Sequence, residues 1–190
     1  MHHRKAGRKL GRNPNHQRAL LRNLASALIL TERDPEDFDT AEMAPKVAGR
    51  ITTTLVKAKE LRPFVERCVT LGVKAQKHIK AANELNCKAA RGTDEWKKWR
   101  QGEGWKAWMK EAAPALAYRR RALQLLGSKE AVSILFDKVA PRYTERAGGY
   151  TRILRLATPR LGDSGKRAII EFVGKNDRAK KVAAIVPTVE

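Results

Sequence analysis

The chain has 190 residues, with 40 Lys and Arg against 20 Asp and Glu, a formal net charge of +20, and a hydrophobic content of 42%. This length allows one compact domain with appendages and argues against two full domains. Because so large an excess of positive charge makes the isolated protein repel itself, it indicates a polyanionic partner, and nucleic acid is the leading candidate.

The few cysteines and histidines argue against metal-dependent and secreted classes of protein. Cys68 and Cys87 form no C-x-x-C pair and the four histidines are scattered, so we predict no metal, no cofactor and reduced, cytosolic thiols. Apolar runs are too short to span a membrane, which argues against a membrane partner. On composition alone, the Arg-rich and acid-free start leaves a mitochondrial presequence open as an alternative.

Residues 1–12 are predicted to form an extended basic arm. Its cations are Arg4, Lys5, Arg8, Lys9 and Arg12. The first acid in the chain is Glu32, so another molecule is expected to supply the arm's counter-charge. Since its charges repel one another and it has no apolar face, the arm is expected to order only on binding RNA.

A single domain is predicted from 13 to 173, and it begins with a helix. Asn13 is placed to cap this helix and Pro14 to occupy its first turn. Arg18 and Arg22, four residues apart, share one face and are candidate RNA contacts. The opposite, buried stripe is predicted to contain Leu20, Leu21, Leu24, Ala27 and Leu28.

An acidic segment, TERDPEDFDTAEMAPK, follows; it contains most of an insertion at about 33–49 and is expected to lie on a face away from the polyanion. The β-branched RITTT at 50–54 predicts a strand, after which Thr54 can cap a second helix. Because Pro63 removes one backbone hydrogen bond, it should kink or split that helix near Arg62.

A second insertion, at about 77–115, contains all four tryptophans. WKKW and WKAW form a pseudo-repeat that predicts two short helices, joined loosely at Gly102 and Gly104. Interleaved lysines would allow the indoles to stack on bases. The alternative, which we favour, is that the indoles pack against the insertion itself or its parent domain.

The remaining chain predicts two helices and a β-hairpin. YRRRALQLLG at 118–127 ends at Gly127, and Ser128 caps KEAVSILFDKVA, which stops at Pro141. YTRILRLA and RAIIEFV form the hairpin, and a basic tail occupies 174–190. The predicted fold class is α+β: a small mixed sheet, made of one strand plus the C-terminal hairpin, packed with about four helices.

GDSG at 162–165 is similar to the segment around the nucleophile of chymotrypsin-like serine proteases. A nucleophilic Ser164 would need a base, and the candidate histidine, His78, lies in the insertion. The same residues are typical of a tight turn, which we predict. GDSGK also lacks the glycine and the Ser or Thr of a phosphate-binding P-loop, at Arg160 and Arg167 respectively.

The later basic residues cluster on one helix, on PRYTERAGGYTR and around the hairpin. Arginine forks suit phosphates, and tyrosines can stack on bases or hydrogen-bond to ribose. The further candidate RNA contacts are Arg119, Arg120, Arg142, Tyr143, Arg146, Tyr150, Arg152, Arg155 and Arg160. Two alternatives stay open, an independent DNA- or RNA-binding architectural protein and an RNA-processing enzyme, although no converging acids support the enzyme.

In order along the chain, five segments resemble the bacterial large-subunit ribosomal protein seventeen family. They are HRKAGRKLGRN, LLRNLASALIL, ITTTLVKAKELRPFVE, KEAVSILFDKVAPRYTERAGGYTRIL and AIIEFV. The resemblance covers roughly 1–32, 50–76 and 116–173, and it is most specific in the arm and in APRYTERAGGYTRIL. Because it begins at the initiator end, it favours an arm that belongs to the mature protein over a presequence.

The resemblance implies a small α+β protein of the cytoplasmic ribosome, bound to large-subunit ribosomal RNA near the polypeptide exit side. It implies a neighbour of the ribosomal protein thirty-two family, no catalytic activity and no small-molecule substrate. The arm cations match the family's basic arm. Arg142, Tyr143, Gly149, Tyr150 and Arg152 match its second signature. The chain departs from the family at His2, in both insertions and in the tail.

Overall fold

In the computed structural model, which describes residues 8–11, 13–38 and 44–174, five α-helices pack with a three-stranded sheet. The helices are α1 (Pro14–Leu30), α2 (Leu55–Glu84), α3 (Asp94–Gln101), α4 (Glu103–Leu126) and α5 (Lys129–Ile134). The strands are β1 (Arg50–Thr54), β2 (Thr151–Arg155) and β3 (Arg167–Phe172). The α+β class is confirmed. None of the helices in these ranges is both long enough and apolar enough to cross a bilayer.

The sheet has the order β1-β3-β2, and both of its pairings are antiparallel. The prediction of a mixed sheet is therefore wrong. The hairpin dictates the direction of β2 against β3, but most of the chain separates β1 from β3, so helix packing decides how β1 pairs. Ile51, Ile170 and Ile153 lie side by side across the three strands and form part of the hydrophobic core, on the face that α2 packs against.

Helix α1 begins as predicted, because the Asn13 side chain accepts a hydrogen bond from the Asn15 N–H at 2.8 Å and Pro14 follows it. Its buried face differs from the predicted stripe. Leu28 is buried as expected, but Ala27 is exposed, while Ala25 and Ile29 are fully buried. The face is rotated because α2, α4 and α5 all contact α1.

Helix α2 runs unbroken for 30 residues with Pro63 inside it, so the split is wrong, while the alternative of a kink stays a prediction. Pro63 lies on the exposed side, where water can satisfy the carbonyl of Lys59 that loses its partner. Leu61 and Val65 on either side are fully buried, so both halves pack against the same core. Thr54 occupies the cap position, as predicted, but its side chain makes no capping hydrogen bond.

The predicted third helix and the second tryptophan segment form one helix, α4, which continues through Pro114. The prediction of two separate helices is wrong there, because α4 packs along α2 and this contact favours a continuous helix. Helices α2 and α4 thus cross the predicted insertion boundaries at 77 and 115. Gly127 ends α4 in a left-handed conformation, φ 74°, as predicted.

Ser128 caps α5, accepting a hydrogen bond from the Ala131 N–H at 3.2 Å. The helix then widens into a π-helical turn (Leu135–Val139) and a 3₁₀ turn (Ala140–Tyr143). In the wider turn the Phe136 carbonyl would pair with the residue five positions later, Pro141, which has no N–H. The buried Gln76 amide of α2 donates to that carbonyl instead, at 2.7 Å, and so joins the π turn to α2.

Candidate nucleic-acid interface

The predicted contacts Arg4, Lys5 and Arg12 lie outside the described residues. In the described part of the arm, the Arg8 Nε lies 3.6 Å from a carboxylate oxygen of Glu60 on α2. The side-chain amide of Gln17 donates to the Arg8 carbonyl at 2.8 Å. Arg8 therefore has a counter-charge within the chain, contrary to the expectation for the arm, because the start of α2 lies beside it.

Arg22 is used inside the fold. Its guanidinium donates to the carbonyls of Gln124 at 3.1 Å and Leu125 at 3.2 Å, at the C-terminal end of α4. A cation is favourable there because the last carbonyls of a helix lack partners and carry partial negative charge. A Cβ at Gly127 would lie 2.9 Å from the Arg22 side chain, so the glycine also provides space for this contact.

Arg142 forms a two-pronged ion pair with Glu32, at 2.8 and 3.2 Å, and Glu32 is only 4% exposed. Next to it, Lys138 binds the Asp34 carboxylate at 2.5 Å. Glu32 and Asp34, at the start of the acidic segment, thus neutralise two cations of the chain itself. That the segment lies on a face away from the polyanion stays a prediction.

Tyr143 and Tyr150 belong to the core. Each is 3% exposed, and their rings lie 5.1 Å apart between centroids. The Tyr143 hydroxyl donates to the Val173 carbonyl at 2.6 Å, and the Tyr150 hydroxyl donates to the Arg146 carbonyl at 3.2 Å. Since these rings and hydroxyls are occupied within the protein, the geometry favours a packing role over the contact with ribose predicted for them.

Arg152 lies on the sheet face opposite the core, directly across from Glu171, which in turn lies across from Arg50. Its Nε donates to Glu171 at 2.5 Å, and the Arg50 Nε lies 3.5 Å from the second carboxylate oxygen. Glu171 is 1% exposed, whereas each arginine side chain is about one third exposed. The buried Glu171 carboxylate therefore has both arginines as partners on this face.

Two further predicted contacts have partners within the folded chain. Arg119 donates to Ser133 at 3.1 Å, and its guanidinium lies 5.5 Å from the centre of the Phe136 ring. Arg160 forms a forked ion pair with Asp163, which raises the pKa of Arg160 and lowers that of Asp163.

Asp163 also accepts a hydrogen bond from the Gly165 N–H at 3.1 Å, which closes the loop between β2 and β3. The hydrogen bond confirms GDSG as a turn, in which Ser164 has a positive φ of 51°.

Four of the predicted contacts remain exposed and have no acidic partner among the described residues. They are Lys9, Arg18, Arg120 and Arg155. Arg146 is also exposed, and its Nε donates only to the nearby Gly148 carbonyl, at 3.0 Å. These five cations can meet phosphates without first breaking an ion pair within the protein.

The sequence prediction missed a row of exposed lysines on α2, Lys74, Lys77 and Lys80. Together with Arg146 they line a cavity of about 530 Å³ between α2 and the loop that precedes β2. Their spacing of three residues on a helix was a readable signal, but two of the three lie in the segment interpreted as an insertion.

The tryptophans pack on one another. The rings of Trp105 and Trp108 stack with centroids 4.9 Å apart, and Trp99 meets Trp105 edge-on at 5.5 Å. The Arg100 guanidinium lies 5.0 Å from the centre of the Trp96 ring and 4.9 Å from that of Trp105. This arrangement supports the packing alternative over stacking on bases.

Clusters of His, Cys, Asp and Glu that could hold a metal ion are absent from the described residues.

Residues 20–173 match the family model of ribosomal protein L17. The chain is 56% identical to the large ribosomal subunit protein bL17 of Rhodopirellula baltica, over 96% of this chain and 86% of that protein. It is 36% identical to the protein of the same name from Acidobacterium capsulatum, over 92% and 73% of the respective lengths. As its resemblance predicted, the chain belongs to the ribosomal protein L17 family.

Proposed function

We propose that this protein is a non-catalytic, structural constituent of the large ribosomal subunit that binds large-subunit ribosomal RNA in the cytoplasmic ribosome. The observation that carries the proposal is the set of exposed cations without an acidic partner among the described residues, in a chain of net charge +20. Relatives of this chain bear the name of a large ribosomal subunit protein.

The mechanism is neutralisation of phosphates by a folded body that holds its cations apart. Lys9 and Arg18 lie at the start of the chain and Arg120 lies on α4, so together they can meet more than one RNA segment. Each phosphate contact releases counterions, and this release favours binding in a salt-dependent way. Cations such as Arg22 and Arg142 contribute indirectly, because they stabilise the body that positions the others.

The alternatives from other classes have less support. A DNA reader concentrates its contacts on a recognition helix, whereas these cations are distributed over the arm, two helices and one end of the sheet. An RNA-processing enzyme needs converging acids or an acid–base pair. Here three acids of the second half of the chain have structural partners: Glu171 pairs with two arginines, Asp163 with Arg160, and Asp137 with Ser133.

Sedimentation of cell lysates tests the proposal. The tagged protein is expected to co-migrate with the large subunit in low salt and to remain there in moderate salt. A triple variant, Lys9→Ala, Arg18→Ala and Arg120→Ala, should bind a large-subunit RNA transcript more weakly. The slope of log K against log salt concentration should correspond to about two to three fewer phosphate contacts. A free or DNA-bound pool of the parent protein would contradict the proposal.

The matched control removes the same charge from paired positions. Arg62, Lys97 and Lys106 are each at least half exposed, and each has a carboxylate within 3.3 Å. Their replacement by Ala should leave the salt dependence closer to that of the parent. An equal loss in both triple variants would show that net charge alone determines binding, without positioned contacts.

Two finer features implied by the family resemblance are part of the proposal: a position near the polypeptide exit side and a neighbour of the ribosomal protein thirty-two family. Chemical cross-linking of purified large subunits, followed by mass spectrometry, tests both features. The expected result is a cross-link from this chain to that neighbour. Cross-links confined to other proteins would remove the neighbour from the proposal.

A further inference from the structure

A cavity of about 490 Å³ at one end of the sheet is lined by four cations. Lys59 comes from the second turn of α2, Arg155 from the end of β2, and Lys166 and Arg167 from the start of β3. None of the described residues that line the cavity is acidic. Lys59 and Lys166 were not among the contacts predicted from the sequence, because only the folded chain brings them beside Arg155.

Backbone hydrogen bonds hold the walls of this cavity together. The Leu55 N–H, at the start of α2, donates to the Lys166 carbonyl at 2.9 Å, and the Leu156 N–H donates to the Arg167 carbonyl at 3.1 Å. The Arg167 guanidinium donates to Thr158, to the carbonyl at 3.2 Å and to the hydroxyl at 2.8 Å. These contacts orient Arg167 without neutralising it, so the cavity is formed before any ligand arrives.

The positive charges around the cavity favour the binding of an anion. Lys59, Arg155 and Lys166 are exposed and have no acidic partner among the described residues. The acid nearest to Lys59 in sequence, Glu60, instead lies beside Arg8. The first turn of α2 contains no acid, so the positive end of the helix dipole adds to the same field. Like charges around one cavity repel, and a bound anion relieves that repulsion.

We propose that this cavity binds the phosphate backbone of RNA, as a contact site separate from the arm. The inference rests on the proposed function and specifies one of its contacts. The cavity is larger than one phosphate group and accommodates the phosphate with its flanking riboses. No aromatic residue is among the described residues that line it, so it offers no platform on which a base could stack. The lining therefore favours backbone over a free nucleotide.

The test uses the full chain and a large-subunit RNA transcript over a series of salt concentrations. The triple variant Lys59→Ala, Arg155→Ala, Lys166→Ala should bind at least about tenfold more weakly at low salt. The slope of log K against log salt concentration should correspond to about two to three fewer phosphate contacts. The control is the triple variant at the paired positions Arg62, Lys97 and Lys106. Unchanged affinity and salt dependence in the cavity variant would overturn the inference.

Further measurements separate the possible failures. Without RNA, the cavity variant should unfold at the same temperature as the parent or at a higher one, since it lacks the mutual repulsion of the cations. Marked destabilisation would indicate a structural role and overturn the inference.

Adenosine monophosphate distinguishes the source of phosphate. If it stabilises only the parent while RNA affinity is equal in both proteins, the site is for nucleotides and the inference is wrong. If the parent itself does not bind the transcript, the proposed function fails instead.

Discussion

The body of the protein and its tryptophan hairpin, which we define as residues 93–110, use aromatic residues in opposite ways. In the body, Phe136, Phe172, Tyr143 and Tyr150 are each at most 3% exposed. In the hairpin the four indoles are all partly exposed, three of them contact one another, and no residue of α3 is buried. Large aromatic residues thus mark a core only where other elements cover them on several sides.

The same contrast holds for charge. The body buries Glu32 and Glu171 beneath arginines, whereas the hairpin pairs its charges locally in solvent. Lys97 lies 3.0 Å from Asp94, and Lys106 lies 2.7 Å from Glu103. Exposed pairs of this kind contribute little to stability, but removal of one partner from a buried pair is costly. Substitutions in the body should therefore lower the free energy of unfolding by more than substitutions in the hairpin.

The largest effect is expected from Phe136→Ala in the π turn. Phe136 is 2% exposed, so its truncation should lower the free energy of unfolding by about 3–5 kcal/mol. Urea denaturation followed by circular dichroism measures this change. A loss below about 1 kcal/mol would mean that the π turn lies outside the cooperative core.

Arg142→Ala should have the second largest effect. The free energy of unfolding should fall by about 2–3 kcal/mol, because the buried Glu32 carboxylate loses its forked partner. The value lies below that for a fully buried pair, since the Arg142 side chain is 31% exposed. Adding Glu32→Gln should recover part of the loss. Additive losses in the double variant would show that the two side chains are not coupled.

In the hairpin, Trp99→Ala should cost only about 1 kcal/mol, since the ring contacts other partly exposed indoles. The companion variant Gly104→Ala tests the same packing from the other side, because a Cβ there would lie 2.6 Å from the Trp99 ring. Tryptophan fluorescence should change in both variants while the urea midpoint moves little. A loss as large as that of Phe136→Ala would erase the distinction between the regions.

The smallest effect concerns the two thiols. Burial raises the pKa of Cys68 from 9.0 to about 12, so this thiol stays protonated in the folded protein, while Cys87 is partly exposed. Iodoacetamide at pH 8 should modify Cys87 in the folded protein and Cys68 only after unfolding. Because the unfolded thiol ionises first, Cys68 should leave stability unchanged below pH 9 and reduce it as the pH rises toward 12. Modification of both thiols at one rate would show that the Cys68 site opens readily.

What the sequence determined by itself is the local structure. The caps at Asn13 and Ser128, the stop at Gly127, the strand RITTT and the hairpin turn all appear where they were predicted, since each depends on partners within a few residues. The family was also readable, because its arm and its second signature are contiguous segments.

Only the tertiary structure decided which cations remain available to bind phosphates. Arg22 and Arg142 resemble Arg18 and Arg120 in the sequence, but they meet α4 and Glu32 from far along the chain. The joining of two predicted helices into α4, the antiparallel pairing of β1 and the burial of both tyrosines were decided in the same way. The physical reason is that an arginine binds whichever carboxylate or carbonyl the fold brings near it, and the spacing of residues along a chain does not carry that information.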